Sequence, residues 1–142
     1  TAMKGLLTLI KLSKRTLDEL RRKMTALETR KATKQQEIVQ LLQEVEREMH
    51  TASQRPEMGH FYGGFAKRMK AKELALREDI AKLEHEMESL REDIAKAFAE
   101  QKKYEIALEN AKQREKEKQA RLETIAMDEI TSQQHHRKQE ET

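Results

Sequence analysis

Residues 54–65 read QRPEMGHFYGGF, and they decide where the chain reverses. The stretch holds the only proline, Pro56, and three of the four glycines, Gly59, Gly63 and Gly64. Proline removes a backbone donor and fixes φ, and a Gly-Gly pair favours turn geometry, so a helix entering this segment breaks. Phe61, Tyr62 and Phe65, three of the five aromatic residues, crowd into the same place.

On the N-terminal side a heptad frame runs from Met3 to Ala52. Its a positions are Met3, Ile10, Leu17, Met24, Lys31, Ile38, Val45 and Ala52, and its d positions Leu6, Ser13, Leu20, Leu27, Lys34, Leu41 and Glu48. Apolar residues dominate over many more than the three or four heptads a coiled coil needs. On the C-terminal side a second frame runs from Met69 to Ile125. Its d positions are Met69, Leu76, Leu83, Leu90, Ala97, Tyr104, Ala111, Lys118 and Ile125. Its a positions are Glu73, Ile80, Met87, Ile94, Gln101, Leu108, Glu115 and Leu122. The block LREDIAK occurs at 76–82 and again at 90–96, two heptads apart, as reuse of one heptad and not as a solenoid repeat.

Two long arms around one break predict an all-α fold, a long two-helix antiparallel coiled-coil hairpin with a C-terminal helical overhang. We expect a single domain over 1–142: a first arm over about 3–53, a break over about 54–65, a second arm over about 66–133 and a polar tail over 134–142. Facing a against d suggests a register with Ile38 opposite Leu83, Val45 opposite Leu76, Leu27 opposite Ile94 and Leu17 opposite Tyr104. These eight are the expected seam. The first arm would span roughly 75 Å at 1.5 Å per residue and end near residue 118, leaving an overhang of about fifteen residues. Lys31 and Lys34 are charged seam positions that would land beside Glu84, Glu86 and Glu88 and fix the register.

Composition agrees with this reading. Ala, Glu, Lys, Leu and Arg supply about 57% of the 142 residues, a level typical of long helices. Charged residues reach 39% and aromatics only 4%, too few bulky side chains for an ordinary globular core. One proline and four glycines exclude a turn-rich β fold. The absence of cysteine excludes a disulfide framework, a thiolate nucleophile and a zinc ribbon. Net charge is only +3, yet residues 1–34 are basic and residues 73–100 acidic, which favours the chain folding back on itself.

Little in the sequence carries chemistry. It has no phosphate-binding glycine loop, no HExxH, no EF-hand and no nucleophile elbow. His50, His60 and His85 are isolated, and adjacent His135 and His136 point apart on a helix, so no metal is expected. The carboxylates fall mostly on outward faces, so no general acid and no cofactor is expected. The first arm is basic but has no aromatic for base stacking, which argues against nucleic acid. No stretch approaches a membrane span, and Lys11 interrupts the short apolar run after Met3, so a cytoplasmic location is expected. Thr1-Ala2 read as an addition ahead of a native start at Met3.

The departures from the seam are more informative. Leu7, Leu9 and Leu12 lie at e, g and c of the first arm, and Met127 and Ile130 at f and b of the second. In a hairpin both ends meet at one tip, so these apolar residues suggest a tip buried in another protein.

Taken together, the LLTLIKLSKRTLDELRR arm, the aromatic break with Tyr62-x-x-Phe65, the KKYEIALENAKQREKEK stretch and MDEI at 127–130 before a His-containing tail resemble the flagellar export protein FliJ family. The resemblance runs from Met3 through nearly the whole chain. It implies a non-enzymatic, cytoplasmic stalk peripheral to the inner-membrane export apparatus. Its paired termini would enter the hexameric export ATPase and promote its activity, at Leu7, Leu9, Leu12, Met127 and Ile130. It would also contact the cytoplasmic domain of the export-gate protein, at Phe65, Met69 and Leu76, with the polar Lys72 departing from the pattern. Some members escort export chaperones. The corresponding stalk of a virulence-type system or another rotary ATPase, and a self-associating coiled-coil spacer, are the other readings that the residues allow.

Overall fold

A computed structural model describes residues 1–141. Every described residue except Thr1 and Arg55 is helical. Helix α1 spans Ala2–Gln54, a 3-10 turn spans Pro56–Met58, and helix α2 spans Gly59–Glu141. The two long helices pack against each other as an all-α hairpin. The reversal is much shorter than the sequence suggested. A residue before proline is pushed out of the α region, and Arg55 obliges with φ −130° and ψ 87°. Pro56 then occupies the first turn of the next helical segment, where its missing N–H costs nothing. The Met58 amide donates to the Arg55 carbonyl at 2.9 Å, closing the turn. Helix resumes at Gly59, so Phe61, Gly63, Gly64 and Phe65 are helical and not part of a loop. Residues 134–141 of the expected polar tail continue α2, and Thr142 lies outside the described residues.

The chain divides into two compact units, one formed by Thr16–Ala97 and the other by Thr1–Arg15 with Phe98–Thr142. In the first, α1 and α2 meet along a heptad seam. Leu17, Met24, Ile38 and Leu41 are buried on α1, and Met69, Leu83, Met87 and Leu90 on α2. Met24, Met87 and Leu90 form its tightest cluster, with Leu20, Leu27 and Ile94 packed around them. Val45 and Leu76 are half-buried.

The register differs from expectation by about one heptad. Pairing Leu27 with Ile94 would have set Met24 opposite Ala97 and Lys31 opposite Leu90. Instead Met24 meets Met87 and Leu90. Lys31 does find Glu84, one of its expected acidic neighbours, with Nζ 3.2 Å from Oε1. Lys34 reaches Asp79 at 3.6 Å, not Glu86 or Glu88. The shorter turn is one cause, because moving a hairpin's turn by half a heptad shifts its register by a whole one. Electrostatics is the other. A one-heptad shift keeps a positions facing d positions along the seam, but the expected register would have faced Glu48 with Glu73. In the structure Glu73, though buried, is held by Lys70 at 3.2 Å and Arg77 at 3.6 Å. The Lys70 contact leads in holding its carboxyl below the usual range.

In the second unit Ile10 is buried on α1, with Met3, Leu6 and Ser13 half-buried. On α2 Gln101 is buried, and Tyr104, Glu105, Ala107, Leu108 and Ala111 are half-buried. From Lys112 to Glu141 every residue is exposed. The overhang is therefore about thirty residues, twice the expected length: the register shift adds one heptad, and the helical residues 134–141 add the rest. It stays helical because Glu, Lys, Arg, Gln and Ala predominate, helped by i,i+4 pairs such as Gln119 with Glu115 at 3.2 Å.

Candidate functional site

Three features of the structure offer themselves to a partner. The first is the turn end of the Thr16–Ala97 unit. Exposed Phe61 lies edge-on to His60, ring centroids 6.2 Å apart. Around them Glu48, Ala52, Phe65 and Arg68 help line an open cleft of about 440 Å³. Phe61 is 69% exposed, the most of any large apolar side chain in the chain's described residues. Helical geometry causes this: with the turn completed by Met58, Phe61 falls on the outer face of α2's first turn, while Tyr62 and Phe65 lean inward and are half-buried.

The second feature is the polar seam of the other unit. Gln101 Nε2 donates to Glu105 Oε1 at 3.0 Å, while the buried Gln101 Oε1 has no partner among the described residues. The Gln101 amide leads in pulling the Glu105 carboxyl down, followed by Lys102 and aided by Lys14 of α1. The Tyr104 hydroxyl donates to Glu100 at 2.6 Å, which pushes the phenol up. These contacts join neighbours along α2.

The third feature is the overhang with the first turns of α1. Leu7, Leu9 and Leu12 are 40–50% exposed on α1, and Leu122, Ile125, Met127 and Ile130 are 48–61% exposed on α2. Among the described residues no group of three or more metal-ligating side chains converges, and no helix is long and apolar enough to cross a membrane.

Compared with known protein families, residues 3–140 match the flagellar FliJ protein family. The chain belongs to that family. Comparison with curated proteins and with solved structures gave no match. As a FliJ family member the chain is a component of flagellar export.

Against that membership, the residues nominated from sequence separate into distinct places. Leu7, Leu9 and Leu12 do not join Met127 and Ile130 in one patch. Burial on α2 ends at Ala111, and Met127 and Ile130 lie about 24 and 28 Å further along the helix. Met69 is buried between the arms, and only Phe65 and Leu76 of its group keep partial exposure. Phe61 belongs to the aromatic group of the break, which lies outside both heptad runs; Leu122 and Ile125 are hidden by a heptad frame that continues past the end of its partner arm. The excess length of the second arm was the signal.

Proposed function

We propose that the chain is the stalk of the flagellar export ATPase. The observation that carries this reading is the uncovered overhang: about thirty residues of regular helix whose large apolar side chains are left exposed by the described residues. A hexameric ATPase has a central channel that a single helix can enter. Burying an exposed Leu, Ile or Met there is worth on the order of 1.5–3 kcal/mol. Leu7, Leu9 and Leu12 lie further back on the hairpin and would meet the channel mouth, steered by the basic Lys4, Lys11, Lys14 and Arg15. The turn end would engage the export gate through Phe65 and the neighbouring Phe61, with Leu76 contributing from the seam. Export chaperones would be further passengers on this surface.

The test is stimulation of the cognate ATPase by the full chain and by a Leu9/Leu12/Met127/Ile130→Ser variant. All four residues are exposed, so the variant should keep its helicity and melting midpoint while losing stimulation and hexamer binding. Normal stimulation by a folded variant would end the stalk reading of this end.

A further inference from the structure

The overhang carries a pattern that matches itself. In the second heptad frame Leu122 is an a position and Ile125 a d position, both exposed. The next seam positions outward are Lys118 at d and Glu129 at a, flanked by Arg121 and Asp128 at successive g positions. These four charged side chains are exposed and make no ion pair or hydrogen bond within the described chain. Antiparallel helices face a with d and g with g. Two copies of the overhang, centred between Glu123 and Thr124, therefore stack Leu122 of one on Ile125 of the other, twice. On either side Lys118 meets Glu129, and Arg121 comes level with Asp128. These four charges each meet an opposite, the two apolar layers lie between, and Glu115 at the outer a position faces the neutral Ser132.

We infer that this segment is an interface for a second copy of the same chain, an isologous antiparallel contact over about residues 115–132. A two-fold contact requires one patch to be its own complement, and this one is. Four apolar side chains fall well short of a standard stable interface, so the dimer is weak and forms only at high concentration. Met127 and Ile130, at f and b, lie outside it. The pairing needs only the uncovered overhang, not an ATPase partner.

Sedimentation equilibrium of the full chain tests it. Between about 5 and 500 μM the average mass should climb from 16.7 kDa toward twice that value. A Leu122→Ser/Ile125→Ser variant should raise the dissociation constant at least tenfold, about 1.4 kcal/mol. Lys118→Glu should weaken the dimer comparably, and adding Glu129→Lys should restore it to within about threefold. A mass fixed at 16.7 kDa across the range overturns the proposal. So does a dimer indifferent to Lys118→Glu, or one lost instead on Leu9→Ser/Leu12→Ser, which would place association on the α1 leucines. Because these positions pack on nothing within the chain, circular dichroism should report unchanged helix in each variant.

Discussion

Gly63 and Gly64 lie inside α2 with no positive φ, so neither uses the freedom that distinguishes glycine. A β-carbon at Gly63 would meet nothing within 4 Å, and at Gly64 only the mobile end of Arg68, at 3.4 Å. Each residue thus carries the helix penalty of glycine with no local return, and Gly63→Ala and Gly64→Ala should each stabilise the fold by about 0.5–1 kcal/mol in urea titrations. A loss of stability would mean that this segment unwinds in the native protein. Charge makes a second residue-scale prediction. Glu73 and Glu105 have lowered pKa values through their partners, so they bind protons more weakly folded than unfolded. Their stabilisation is complete above the ordinary glutamate range and disappears as pH falls through the lowered folded values. Acid titration of the urea midpoint should therefore slope downward, and Glu73→Gln with Glu105→Gln should flatten that slope. Both carboxylates could be placed on a helix from sequence, Glu73 even in the seam. Their intrahelical partners depended on rotamers that heptad position does not encode.

At the scale of the elements, the seam and the overhang predict opposite responses to one kind of change. Met87→Ala removes a side chain only 4% exposed and should cost about 2–4 kcal/mol. Ile125→Ala removes one 61% exposed and should alter stability by less than about 0.5 kcal/mol. Both occupy clean heptad positions in the same helix, which is why sequence alone could not tell them apart. The helices and their reversal were legible because Pro56 interrupts two long periodic runs. The register was not, because a seven-residue period is blind to a seven-residue shift. What discriminates is charge: Lys31 with Glu84, Lys34 with Asp79, and the separation of Glu48 from Glu73. The chain has no cysteine, so the register is open to direct measurement. A short thiol crosslinker should join Lys31→Cys to Glu84→Cys in high yield and Lys31→Cys to Arg91→Cys poorly; the reverse result would restore the expected pairing.

For the whole molecule, the prediction is that covering and function are separable. Deleting residues 112–141 removes no buried side chain, so the melting midpoint of the remainder should stay close to that of the full chain. Stimulation of a cognate ATPase and self-association should both be lost with it. The same division has a kinetic side. Helix α2 is continuous in geometry, but its amides answer to two different opening reactions. Where α1 covers the seam, an amide exchanges with solvent only when the arms part, at a free energy approaching that of global unfolding. Beyond Ala111 an amide needs only local fraying of an isolated helix, whose stability is marginal even with good helix formers. Hydrogen–deuterium exchange along this single helix should therefore show slow uptake up to about residue 111 and rapid uptake after it. Any partner that seizes the overhang will announce itself by slowing the second set while leaving the first untouched.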